Sequence, residues 1–146
     1  MMLRDATPDD IDAIVAMLAD DPLGRDREAP GDPAYRAAFD AIAAQQGNAL
    51  IVAERDGVVI GCLQLTFLPG LSRKGQIRAQ IEGVRVARVA RNGGVGAALV
   101  EEALRRSRAA GCGMVQLATD RSRADAQRFY ARLGFEASHV GMKMML

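Results

Sequence analysis

Apolar residues follow two rhythms along this chain. Ile11, Ile14, Val15 and Leu18 recur at helical spacing behind Thr7-Pro8-Asp9-Asp10, where a threonine N-cap, a proline and two acids suit the first turn of a helix. The same rhythm predicts a helix from Ala34 to about Gln46, stopped at Gly47. It returns from Ala97 to Ala110, with Leu99, Val100, Ala103 and Leu104 as the buried stripe, Glu101/Arg105 and Glu102/Arg106 as exposed i,i+4 pairs, and Gly111 as the stop. A last helix is expected from Arg123 to Leu133. Between these the pattern changes to β-type runs: Leu3 to Ala6, Ala49 to Arg55, Val58 to Phe67, about Gln76 to Val86, and Val115 to Ala118. Asp56-Gly57 is a favoured type I′ pair, so the second and third runs are read as a hairpin. Phe135 to His139 and Met142 to Leu146, around Gly141, are read as a final hairpin.

The order β-α-α-β-β-β-α-β-α-β-β describes one α/β domain over residues 1–146, with a mixed, mostly antiparallel sheet and helices on both faces. The segment from Pro22 to Pro33 is dense in turn residues and mixed charge, and reads as a surface loop that would suit an active-site lid. A second loop, Pro69 to Gly75, carries Arg73 and Lys74. Composition agrees with a soluble domain: 146 residues, 49 % hydrophobic and 25 % charged. A net charge of +1, from 19 basic and 18 acidic residues, provides no global field for nucleic acid or an anionic membrane. Cys62 and Cys112 lack zinc spacing and read as buried thiols. The N-terminus gains charge at once, offers no signal-peptide core, and no apolar run is long enough to span a bilayer, so the cytoplasm is the expected location.

The chemistry concentrates in Arg91-Asn92-Gly93-Gly94-Val95-Gly96-Ala97, between the strand Ile81 to Val86 and the helix from Ala97. Glycines allow left-handed angles and close approach, and a helix start offers unpaired N–H groups with the positive end of the dipole, so the expected ligand is a phosphate or pyrophosphate. A Walker loop would need Lys-Ser/Thr after the glycines, and a dinucleotide fingerprint a different spacing and a ribose-binding acid.

Arg91-x-x-Gly94-x-Gly96 resembles the Arg/Gln-x-x-Gly-x-Gly/Ala signature of the GNAT superfamily of N-acetyltransferases, and Ala126-x-x-x-Tyr130-x-x-Leu133-Gly134-Phe135 resembles that family's later segment. Ile81 to Val86 resembles the strand before the family's pyrophosphate turn. The resemblance covers about residues 80 to 135. It implies acetyl-CoA as co-substrate, no metal, Arg91 and the N–H groups of Asn92, Gly93, Gly94, Val95, Gly96 and Ala97 on the pyrophosphate, and the stretch Val84, Arg85, Val86 along the pantetheine arm, with backbone groups of Val84 and Val86 bonding it. It also implies Glu82 as the base that takes the amine's proton and Tyr130 as the acid that protonates departing CoA.

Simple alternation puts Glu82 on a face with Val84 and Val86, where a lone carboxylate is costly to bury, unless Gly83 marks a bulge that re-aims it. A salt-bridged or edge-exposed Glu82 and a Tyr130 that merely packs are the plain alternatives. Where many family members place an asparagine, seven residues before the tyrosine, this chain has Arg123, which suits a CoA phosphate instead. His139 is expected in a structural or acceptor-pocket role. The function expected is acetyl transfer to a primary amine by direct attack in a ternary complex. The acceptor is a small molecule or peptide whose pocket would be built by the two loops and the final hairpin. A homodimer through the C-terminal strands would fit the superfamily. A non-catalytic acyl-CoA-binding regulatory module is the rival reading, and a nucleotide-binding protein a third.

Overall fold

Asp56 and Gly57 both take positive φ, 53° and 78°, and join β2 (Asn48–Arg55) to β3 (Val58–Leu68) in antiparallel register, as their chemistry predicts. The structure, a computed structural model, describes residues 1–146, which divide into two units, Met1–Gln116 and Leu117–Leu146. Around the hairpin, β1 (Met2–Asp5) pairs with β2 and β4 (Arg78–Val86) with β3, both antiparallel, and β5 (Met114–Leu117) completes the order β1-β2-β3-β4-β5. The connections are α1 (Ile11–Ala19), α2 (Ala34–Ala44), a single turn α3 (Ser72–Gly75) and α4 (Val95–Ala109), and α5 (Ala124–Arg132) follows β5. It is a mixed five-stranded α/β sheet with helices on both faces.

Two neighbouring residues of β3 show how the faces are used. Cys62 packs with Val52 against Ile14 and Met17 of α1. Gly61 points the other way. A Cβ there would lie 2.8 Å from Val95 Cγ1 and 3.0 Å from Leu99 Cδ1, so only glycine lets α4 settle onto the sheet. Ile51, Leu63, Leu65, Ile81 and Leu99 are fully buried in that second layer. Each such side chain contributes about 1.5–3 kcal/mol relative to exposure.

Charge fixes the ends of the elements. Thr7 is the N-cap residue, but the contact that serves it is the reverse one: the Asp10 carboxylate accepts from the Thr7 N–H at 2.7 Å. The Arg4 guanidinium donates to Asp10 at 2.7 and 3.0 Å and to Glu54 at 2.8 Å, and holds the Asp10 carboxyl below its usual range. On α4 the expected Glu101/Arg105 pair is replaced. Glu102 takes both Arg105, at 2.7 Å, and Arg106, at 2.8 Å, while Arg106 also reaches Asp5. Glu102 lies on the partly buried side of the helix, where one carboxylate can serve two guanidinia.

These bonds, Arg105's first, lower the Glu102 carboxyl from about 4.5 to about 2. A depressed folded-state value stabilises the protein above the unfolded value and is lost as pH falls through the folded one. Glu102→Gln is therefore expected to lower stability near pH 7, with the gap from the parent closing between about pH 4.5 and pH 2. Urea unfolding at stepped pH checks this, and a gap independent of pH rules it out.

The second unit holds α5, the residues leading into it from Leu117 and the residues after it. The predicted hairpin of Phe135 to His139 and Met142 to Leu146 is not formed: neither run has strand structure, and Val140, Met142, Met144, Met145 and Leu146 are exposed. A two-stranded hairpin is marginal without a further strand or helix to cover it, and alternation in sequence does not supply one.

Candidate functional site

Glu82 owes its position to the glycine after it. Gln64 of β3 stands opposite Glu82 and Cys62 opposite Arg85, so Gly83 and Val84 together face the single residue Leu63. This is a bulge, and Gly83 adopts φ 63° within it. It corrects the expectation that Glu82 shares a face with Val84 and Val86. Glu82 instead shares the α1-side face with Gln64 and, past the bulge, Arg85. Its carboxylate is exposed, with Oε1 3.5 Å from Gln80 Nε2, and no burial cost arises.

Beyond the bulge the outward groups of β4 meet arginines. Arg85 donates to the Val84 carbonyl at 2.8 Å and Arg91 Nε to the Val86 carbonyl at 3.3 Å. Arg85 Nε also lies 3.0 Å from Asp21 Oδ2, so its side chain is engaged within the protein and its backbone is what it can offer a ligand. Asp21 Oδ1 accepts from the N–H groups of Leu23 and Gly24, both at 2.8 Å, which ties down the start of the Pro22 to Pro33 loop. Near the other end, the Tyr35 hydroxyl donates to Glu28 and accepts from the Ala29 N–H, each at 2.9 Å. In the second loop Arg73 and Lys74 take left-handed angles, φ 53° and 61°.

A 3₁₀ turn, Arg88–Ala90, leads from β4 into the glycine turn. Asn92 and Gly94 adopt φ 64° and 80°, Gly94 is the N-cap, and no side chain caps α4. The first N–H groups of the helix, from Val95 to Ala97, therefore lack acceptors inside it. Ahead of them Arg88 and Arg91 meet Asp20, a residue that local sequence patterns did not single out. Its carboxylate receives Arg88 at 2.6 Å and Arg91 at 3.7 Å, and Arg91 also donates to its carbonyl at 3.4 Å. The Arg88 bond holds the Asp20 carboxyl below its usual range. Two arginines flanking the entry to the glycine turn are thus directed toward one carboxylate.

In the second unit, the Tyr130 ring meets Phe129 and Phe135 edge-on, at centroid distances of 5.1 and 5.9 Å. Arg123 is the N-cap residue of α5. Its N–H donates to the Asp120 carbonyl at 2.9 Å, while Asp120 Oδ1 accepts from the Ser122 N–H and hydroxyl at 2.9 and 2.6 Å. His139 is exposed, its Nδ1 2.7 Å from Ser138 Oγ. Both cysteines are free thiols, and burial pushes the Cys62 thiol up to about 12. No cluster of three His, Cys, Asp or Glu could hold a metal ion, and no helix is long and apolar enough to cross a membrane.

A family model described as the acetyltransferase (GNAT) family matches residues 12–135. An aminoalkylphosphonate N-acetyltransferase of Salmonella typhimurium is 29 % identical over 140 residues, covering 94 % of this chain and 86 % of that protein. Among solved structures, a transcriptional regulator from Bacillus halodurans C-125 superposes with a TM-score of 0.96 at 47 % identity, with 99 % of each chain covered. An acetyltransferase of Trypanosoma brucei superposes with a TM-score of 0.82 at 25 % identity, again over 99 % of each chain.

Proposed function

The chain belongs to the GNAT acetyltransferase family, and from that premise we propose that residues 1–146 act as one domain, an acetyl-CoA-dependent N-acetyltransferase whose acceptor amine attacks the thioester directly in a ternary complex. One observation carries the reading. The uncapped helix start at Gly94 is joined by one 3₁₀ turn to a strand on which Glu82 stands exposed just before a bulge. The first feature suits a pyrophosphate and the second suits an amine.

In this mechanism Glu82 takes a proton from the acceptor ammonium, directly or through water. The neutral nitrogen attacks the thioester carbon, the C–S bond breaks with the Tyr130 phenol protonating the leaving thiolate, and the second amine proton, lost as the amide forms, restores the phenol. CoA's pyrophosphate is assigned to Arg91 and the N–H groups of Asn92 to Ala97, where it competes with Asp20 for Arg91. The pantetheine arm is assigned to the backbone of Val84 to Val86. Arg123 is assigned a CoA phosphate. The free thiols support a reducing, cytoplasmic setting. A homodimer belongs to the same reading, supported by the exposed apolar residues of the C-terminal arm, and sedimentation measures it.

The test is release of free CoA from acetyl-CoA across a panel of primary amines. Small amines bearing an acid group lead the panel, after the Salmonella relative's named substrate. Amine-dependent release supports the enzyme. Tight acetyl-CoA binding with no release for any amine supports the second reading, a regulatory acyl-CoA-binding module, which the name of the Bacillus relative favours. A pure binder has no use for Glu82 or Tyr130.

Tyr130→Phe removes one hydroxyl and keeps the ring against Phe129 and Phe135. Turnover is expected to fall with CoA affinity unchanged, and an acetyl donor with a better leaving group should recover part of the rate. Loss of stability with an unchanged rate per folded molecule would make Tyr130 a packing residue.

A further inference from the structure

The sheet face that carries Glu82 also carries an unbroken line of polar side chains. On β4, Arg78, Gln80 and Glu82 alternate with the buried Ala79 and Ile81, so the three share one face. Gln80 Nε2 lies 3.5 Å from Glu82 Oε1, Gln116 Nε2 donates to Gln80 Oε1 at 3.1 Å, and Arg78 Nη1 donates to Gln116 Oε1 at 3.4 Å. The neighbouring strand continues the patch. Gln64 and Thr66 stand opposite Glu82 and Gln80, and both donate to Asn48 Oδ1, at 3.0 and 3.2 Å.

Packing alone does not call for this arrangement. The opposite face of the same strands is apolar and closed by α4, whereas this face holds amides at a depth where polar groups are costly unless they have partners. Arg78 is the cation of the line. It is half-buried, forms no ion pair, and donates a hydrogen bond to a neutral amide. A guanidinium so placed is matched to a planar or tetrahedral acid that can take two of its N–H groups at once. Glu82 stands four residues along the strand, roughly 13 Å from Arg78 between Cα atoms. The glutamine amides between them can donate to, or accept from, whatever lies across them.

We propose that the acceptor is a zwitterion, with its amine at Glu82 and a carboxylate, phosphonate or phosphate at Arg78, and that Arg78 determines this specificity. The proposal rests on the N-acetyltransferase reading for the role of Glu82, but the acid-binding role of Arg78 can be measured without turnover.

Titration calorimetry of the CoA-loaded whole protein compares three probes of matched chain length: an alkylamine, an ω-amino carboxylate and an ω-aminoalkylphosphonate. The acid-bearing probes are expected to bind at least about tenfold more tightly than the alkylamine, a difference of about 1.4 kcal/mol. In Arg78→Gln that ratio should collapse toward one, and Arg78→Lys, which keeps the charge without the fork, should fall between. Circular dichroism verifies that each variant is folded, and the lysine variant provides the comparison if the glutamine variant is not. An alkylamine binding as tightly as the acid-bearing probes overturns the proposal, as does a preference that survives in Arg78→Gln. Acid preference without CoA release in the turnover assay would leave the Arg78 assignment standing and remove the enzymatic reading.

Discussion

Glu82→Gln is expected to lower turnover about 10²- to 10⁴-fold, the usual cost of removing a general base. The substitution keeps the size of the side chain and its contact with Gln80, and the carboxylate is exposed, so neither folding nor acetyl-CoA affinity should change much. The pH profile identifies the cause. If Glu82 deprotonates the amine, the gap between variant and parent narrows at high pH, where the amine is already neutral. Steady-state rates at several pH values measure this, and parent-like turnover at neutral pH removes Glu82 from the mechanism.

Gly96→Val should weaken acetyl-CoA binding by about tenfold or more, about 1.4 kcal/mol or above. Gly96 lies in the first turn of α4, where a branched side chain would stand between the free N–H groups and an anion drawn to them. Valine is not a worse helix former than glycine, so the helix itself has no reason to fail. Gly94 is a poorer probe because its φ of 80° strains any residue with a Cβ. Calorimetry reads the result directly, and unchanged affinity in a folded Gly96→Val protein removes the cradle assignment.

Local chemistry made much of the architecture legible. The Asp56-Gly57 turn, the helix beginning after Gly94 and the strand leading to Val86 each follow from interactions between residues a few positions apart, where φ preference, side-chain period and missing N–H partners act. The glycine turn and the uncapped start of α4 were legible for the same reason, because their parts are contiguous.

Other features required strands and loops to meet. Gly83 suggested a bulge, but which face Glu82 takes depends on how β4 registers against β3, where Gln64 is its partner, and only the paired sheet sets that register. Asp20 reaches Arg88 across 68 positions, and Gln116 joins Arg78 across 38, so no local pattern marks them. The C-terminal run shows the converse. Its alternation is suitable for a hairpin, but a strand needs a partner edge and cover as well as a period, and the exposed Met142 to Leu146 have neither. The sequence by itself determined the helices, the strands up to β5 and the contiguous glycine turn, because those are set by neighbours along the chain. Only the tertiary structure decided which side chains share a face and which charges meet, because strand register and long-range ion pairing are properties of the assembled sheet.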